Sequence, residues 1–397
     1  MDLWLPKSDP SHTSVPRAPE GAMHAGALTV RVPICRPLLA GYDRLAPWLQ
    51  QIDQTRSYTN NGPLHDRLAH GLARHFGLSE AQVCLSSSGT AALVGAIFAH
   101  AGPAGPQRPL CLCPDFTFVA TAVAARSCGY TPLLADCDPE TWALTPAIAE
   151  AMPDFDRVGL VVVVAPMGRM VDLVAWQAFS DRTGRPVVVD AAACFDTLSG
   201  AAVAATRLPV VLSLHATKTY STGEGGLVLC GDPGLVHRTA VALNFGFDGT
   251  RESRMPAING KLSEYHAAIG LAELDGWPHK RAGFVAVARH YAAAAEAAGL
   301  AGRIVVDAGH AVPYAHLLAP SAQAAQAVAA ALRAEGIDTR FWYGRGIHAQ
   351  QAFAGCPRGS LDTTADVSGR LLGLPCYVDL DAATIAEVVG GIARGLA

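Results

Sequence analysis

The sequence is short of charge and shorter still of lysine. Asp, Glu, Lys and Arg make up 16% of its 397 residues, and the lysines are Lys7, Lys218, Lys261 and Lys280 alone. With half of the residues apolar, that balance excludes a disordered or fibrous chain. A net charge of −4 offers no general field for nucleic acid or an acidic membrane, so neither is expected as a partner and any anion must be held locally. The longest plainly apolar run, Leu160 to Pro166, falls far short of the roughly 20 residues that cross a bilayer. No charged leader with an apolar stretch behind it is seen, so secretion is not expected. The ten cysteines show no C-x-x-C pair and no zinc spacing, and Cys84, Cys111, Cys113 and Cys230 lie in apolar runs. Buried, reduced thiols in a cytoplasmic protein are expected, with no metal site. No G-x-G-x-x-G follows an early strand, which argues against a nicotinamide dehydrogenase. Internal repeats are absent too.

What is present is a chain long enough for two domains. Residues 1 to 28 are rich in Pro, Ser and His and read as a loose arm. From Pro63 onward helix and strand alternate. Leu64, Leu68, Leu72 and Phe76 recur every four residues, and Gly77 closes that helix. Apolar strands are expected at Val83–Ser86, Leu110–Pro114, Pro132–Ala135, Gly159–Pro166, Pro186–Asp190 and Pro209–Leu214, with helices such as Ala91–His100 and Leu173–Thr183 between them. Near-continuous Val/Leu strands separated by helices mean an α/β fold with a mainly parallel sheet covered on both faces, where ligands gather at the strands' carboxyl ends. After Lys261 the texture changes. Helices are expected at Glu264–Leu274, Arg281–Ala298, Ala322–Ala334 and Ala382–Leu396, and strands at Ile304–Val306 and Val312–Leu318. The division this suggests is an arm (1–28), a large domain (29–270) and a smaller C-terminal α/β domain (271–397).

Three segments carry chemistry. Ser86-Ser87-Ser88-Gly89-Thr90-Ala91 lies between a strand and a helix, where backbone N–H groups and hydroxyls bind phosphate; an ordinary N-cap uses the same residues. Asp190 ends a run of valines, and a carboxylate placed there needs a partner. A protonated pyridine nitrogen is one such partner and turns the ring into an electron sink; a cap or core ion pair is another. Ser213-Leu214-His215-Ala216-Thr217-Lys218 runs an apolar strand straight into a lysine, with Gly223-Glu224-Gly225-Gly226 just beyond. A partly desolvated lysine is a neutral nucleophile, and a snorkelling surface lysine is the plainer reading. His215 fits a structural place and a place beside a cofactor equally well.

In order and spacing these segments resemble the DegT/DnrJ/EryC1/StrS sugar aminotransferases. Thr59-Asn60-Asn61-Gly62-Pro63, Pro114 to Thr121, Asp190-Ala191-Ala192, Asn259-Gly260-Lys261-Leu262-Ser263-Glu264 and Leu374-Pro375 extend the likeness from about Val32 to the end of the chain. The resemblance implies the type I aminotransferase fold, with a mainly parallel seven-stranded sheet in the large domain, and pyridoxal 5'-phosphate as cofactor. It implies that Lys218 attaches the cofactor and moves protons, that Asp190 pairs with the pyridine nitrogen and that Phe118 stacks on the ring. Ser88, Gly89, Thr90 and Ser213 would hold the phosphate. Asn259 would reach it from the other subunit of a homodimer with shared sites. The family often has Gln or His three residues after the aspartate; here that residue is Ala193.

The reaction implied moves an amine from glutamate or a similar donor to a keto group of a nucleotide-linked deoxysugar, with a 4-keto-6-deoxy sugar favoured. Sugar C3 and a keto-cyclitol remain open. Arg340-Phe341-Trp342-Tyr343-Gly344-Arg345 either borders the substrate, arginine suiting a diphosphate and aromatics a ring face, or is a strand with routine surface arginines. A dehydratase variant, with histidine in place of the lysine, is disfavoured by Lys218. A cofactor-binding regulator without turnover is the rival from another class.

Overall fold

The computed structural model describes residues 30–397; the proposed arm at 1–28 lies outside them. Seven strands build the larger sheet: β1 (Val83–Ser86), β2 (Leu110–Pro114), β3 (Thr131–Ala135), β4 (Val158–Val164), β5 (Val187–Asp190), β6 (Val210–Ser213) and β7 (Gly226–Leu229). Their spatial order is β1-β7-β6-β5-β4-β2-β3. All run the same way except β7, which is antiparallel to both β1 and β6. The valines and leucines of β4 and β5 are almost wholly buried, as strands covered on both faces must be. Like strand Leu371–Leu374 of the smaller sheet, β7 was not expected from the sequence. It is short and follows the glycine-rich turn directly, so it carries no pattern of its own.

Four short strands form a second, antiparallel sheet: β8 (Ile304–Val305), β9 (Ala315–Leu318), β10 (Arg340–Phe341) and β11 (Leu371–Leu374), in the order β10-β11-β9-β8. β9 starts three residues later than the apolar run suggests, because Pro313 within that run cannot donate to a ladder.

The largest departure from expectation is the helix joining the two sheets. The two helices expected at Glu264–Leu274 and Arg281–Ala298 are one helix, Glu264–Ala297, with Pro278 inside it. A proline removes a backbone hydrogen bond and crowds the preceding turn, but burial on both sides outweighs that here. Trp277 lies edge-on to Phe195 and Tyr220 in the core of the larger sheet. Further along, Val287, Tyr291 and Ala295 enter the core of the smaller one, where the Tyr291 hydroxyl donates to Pro375 O at 2.7 Å. The start of the described chain joins that second core: Val32 is buried in it and pairs with Ile337. The ten cysteines are free thiols, nine of them buried. Among the described residues no helix is long and apolar enough to cross a membrane.

Candidate active site

The carboxyl ends of β5 and β6 and the start of helix Gly89–His100 converge on one cavity of about 390 Å³, within the range of small-molecule sites. Ser88, Gly89, Thr90, Phe118, Asp190, Ser213 and Lys218 line it. Seven of the eight nominated site residues therefore share one space. Asn259 does not line it: this residue pairs with Asn244 and its side-chain oxygen accepts from Lys261 Nζ at 2.7 Å. The neighbouring Gly260 O accepts from Ser87 N at 2.7 Å, so Asn259 sits close behind the Ser86–Ser88 turn.

Each lining residue has a local reason for its place. Ser88 is the N-cap of helix Gly89–His100, its Oγ accepting from Ala91 N at 3.1 Å. The capping reading is thus correct for Ser88, and it leaves the first-turn N–H groups of Gly89 and Thr90 without partners inside the helix. Gly89 is required by close approach, since a Cβ there would lie 2.9 Å from that of Ser213. Only a residue without a side chain lets the helix start against the end of β6. Phe118 precedes helix Val119–Ser127, lines the cavity and is 63% exposed.

Asp190 is the buried acid of the site. Burial raises its pKa, opposed by hydrogen bonds from Thr121 and the Ala192 amide and by the Lys218 charge. Thr121 Oγ1 donates to Oδ2 at 2.8 Å, and Ala192 N to Oδ1 at 3.2 Å. Thr121 Oγ1 lies 3.0 Å from Thr117 Oγ1, so a chain of hydroxyls backs the carboxylate. Two of its four lone-pair directions stay free for a donor in the cavity. Lys218 Nζ donates to Tyr314 Oη at 3.2 Å. Tyr314 is fixed by stacking on His316, centroids 5.7 Å apart, and by an edge contact to Trp342 at 5.4 Å.

This donor set suits pyridoxal phosphate. A helix start with the hydroxyls of Ser88, Thr90 and the neighbouring Ser213 offers partners to a phosphate, a buried carboxylate with its pKa raised wants a cationic N–H, and a lysine lines the same cavity. The sequence reading gave no role to Tyr314 or Thr121 and did not foresee the contributions of Ile34, Cys35 and Met167. Thr121 was visible only inside the Pro114–Thr121 motif. Tyr314 stands before a short strand and has no local signal. Of the Arg340–Arg345 segment, Arg340, Trp342 and Tyr343 line the cavity; the segment both borders the site and contributes β10. His215 also lines it, with Nδ1 2.9 Å from Thr217 Oγ1 and Nε2 3.6 Å from Glu224.

The chain is similar in sequence and fold to known proteins. Protein Rv3402c of Mycobacterium tuberculosis (strain ATCC 25618 / H37Rv) is 32% identical over 377 residues, covering 92% of this chain and 90% of that protein. A dTDP-4-amino-4,6-dideoxy-D-glucose transaminase of Shigella dysenteriae is 31% identical over 253 residues, covering 61% and 64% respectively. Among solved structures, DesI in the presence of its TDP-sugar product superposes with a TM-score of 0.81 at 28% identity, covering 93% of this chain and 94% of that one. The model of the DegT/DnrJ/EryC1/StrS aminotransferase family matches residues 43–393, and the chain belongs to that family as a pyridoxal-phosphate-dependent aminotransferase.

Proposed function

We propose that the protein transfers an amine from glutamate, or a similar amino-acid donor, to the keto group of a nucleotide-linked 4-keto-6-deoxy sugar. The observation that carries this reading is the single cavity in which Lys218, Asp190 and the Ser88–Thr90 helix start meet an aromatic wall of Tyr314, Trp342 and Tyr343. Relatives lend support: the Shigella transaminase is named for a 4-amino-4,6-dideoxy sugar nucleotide, and a Caulobacter vibrioides protein 28% identical over 248 residues is named GDP-perosamine synthase.

Bound in this cavity, pyridoxal phosphate supplies an electron sink for the carbon that carries the transferred amine. Ser88, Thr90 and Ser213, with the Gly89 and Thr90 amides, would hold its phosphate, and Asp190 would pair with its ring nitrogen. A cationic partner for Asp190 offsets the burial that raises its pKa. Lys218 would attach the cofactor and, once released, its amine would take up and return the proton of the substrate carbon, with Nζ held toward Tyr314. Phe118 would cover the ring face. Arg340 stands where a diphosphate arm would pass, its guanidinium 5.1 Å from the Trp342 ring.

The active unit on this reading is a homodimer in which Asn259 serves the partner's phosphate, which agrees with its exclusion from its own cavity. Mixing inactive Lys218→Ala and Asn259→Ala subunits tests this: hybrids regain one intact site, whereas full activity of Asn259→Ala alone sinks the shared site. The substrate reading is tested with glutamate and a panel of dTDP-linked keto sugars, including one with the ketone at C3, because a Streptomyces venezuelae relative is named for a 3-amino product. The 4-keto-6-deoxy compound is expected to give the highest kcat/KM. A protein that binds the cofactor and turns over none of the panel points instead to a regulator.

A further inference from the structure

Residues 341–364 leave β10, cross the edge of the larger sheet and reach helix Asp362–Arg370. Fastenings hold this strap along its length. Leu134, on edge strand β3, pairs with Arg358 through Leu134 N to Pro357 O at 2.9 Å and Gly359 N to Leu134 O at 3.1 Å. Arg126 donates to Ala352 O at 2.8 Å. Asp136 accepts from Thr363 N at 2.8 Å and Thr364 N at 2.7 Å, capping the helix from another element.

The fastening nearest the active site is a fully buried carboxylate. Asp115, at the end of β2, is 0% exposed. Its Oδ1 accepts from the His348 amide at 2.7 Å, and its Oδ2 lies 2.7 Å from His348 Nδ1. Its backbone carbonyl accepts from Ile347 N at 3.0 Å. Between this fastening and the cavity the chain takes a conformation that local sequence does not favour. Tyr343, Gly344 and Gly346 have φ of 67°, 59° and 102°, and a Cβ on Gly346 would lie 2.0 Å from Asp115 Oδ2. A tyrosine in the left-handed region is held there by its surroundings, and such strain gathers at functional sites. The result is that Trp342 and Tyr343 face the cavity, with Tyr343 edge-on to Phe116 at 5.1 Å. Two and three residues after Asp115, Thr117 and Phe118 also line the cavity, as a second stretch of its wall.

We propose that Asp115 and His348 are positioning residues that set the distance between these two stretches of wall, and so select for the bulky acceptor rather than the small amino-acid donor. This rests on the reading that a nucleotide-linked sugar enters the cavity. Asp190 and the helix start are held by contacts outside the strap, and the strap reaches Lys218 through the edge contact of Trp342 with Tyr314, so the donor half of the reaction depends on the clamp less than the acceptor half does. The Asp115 backbone is independently fixed by its own N–H to Ala135 O at 2.8 Å, which keeps the end of β2 in place when His348 is changed.

The test compares His348→Ala with His348→Gln, whose amide can still donate to Asp115, in the cofactor-loaded enzyme. Hydrogen exchange is expected to rise at 341–350 in His348→Ala and not at 89–92 or 190–193. The KM for a dTDP-linked 4-keto-6-deoxyhexose rises about tenfold, while reduction of the visible band by glutamate alone stays within about twofold. His348→Gln stays near the parent on both measures. Unchanged exchange at 341–350, or equal losses in both half-reactions, overturns the clamp. A rise in exchange confined to 341–350, in an enzyme whose parent aminates no keto sugar, upholds the clamp and overturns the acceptor reading instead.

Discussion

The two sides of the cavity are built differently. On one side stand the strand ends of the larger sheet and the start of helix Gly89–His100, where Asp190, Ser213 and Ser88–Thr90 follow directly from long buried strands or their turns. On the other stand the aromatics of the smaller sheet, where β10 is two residues long and the backbone is held by distant contacts. The first side is a set of local motifs on a rigid scaffold, the better platform for chemistry. The second is shaped by partners far away in sequence, the better place for selectivity. Substitutions on the first side should therefore reduce turnover with any acceptor, and those on the second should change which acceptor is used.

The largest effect is expected at Lys218. Lys218→Ala should lose turnover on the order of a thousandfold or more and lose covalent attachment of the cofactor, read by borohydride fixation and mass mapping. Label found on Lys261 or Lys280 in the parent would contradict the assignment.

Asp190→Asn comes next, with a loss of about a hundredfold or more in both half-reactions, because an amide does not keep a ring nitrogen protonated. Burial raises the folded-state pKa of Asp190. The carboxylate therefore opposes folding when it is ionised without a cationic partner, at pH values above its unfolded pKa. In the cofactor-free protein the asparagine variant should melt no lower than the parent at neutral pH. A clear drop in melting temperature would make the carboxylate structural.

Thr121→Val removes the hydroxyl that donates to Asp190 and should cost about tenfold in turnover, the scale of one hydrogen bond to a charged group. Equal slowing with every acceptor is the sign that it belongs to the first side.

The smallest effect is one of stability and tests the second side. Burial, with the Arg169 charge adding to it, holds His316 down at about 3 from an ordinary 6.5, and its Nε2 has no hydrogen-bond partner among the described residues. Below about pH 6.5 the unfolded chain takes up a proton that the folded chain refuses, so stability is lost as the pH falls toward 3. The melting temperature of the parent should fall more steeply than that of His316→Phe between about pH 6.5 and about pH 4. Parallel curves would show that another group governs the acid limb.

The strands of the larger sheet and the residues at their ends were legible because their pattern is local. A run such as Val187–Asp190 announces both a buried strand and an acid at its carboxyl end, and a serine-rich turn before an apolar helix announces a cap and an anion cradle at once. β7 and the single helix Glu264–Ala297 were not legible. A four-residue strand after a glycine turn has no periodicity, and the effect of Pro278 depends on what Trp277 and Tyr291 pack against.

The amino-acid sequence by itself determined the α/β alternation, the family, and the lysine and aspartate near strand ends that line one cavity, because backbone pattern and strand-end chemistry are written within a few residues of one another. Tertiary structure alone decided that Tyr314 meets Lys218, that Thr121 backs Asp190, and that His348 reaches Asp115 across 233 positions of chain. Each of those contacts joins segments whose approach is set by how the second sheet packs on the first, and no local periodicity records that distance.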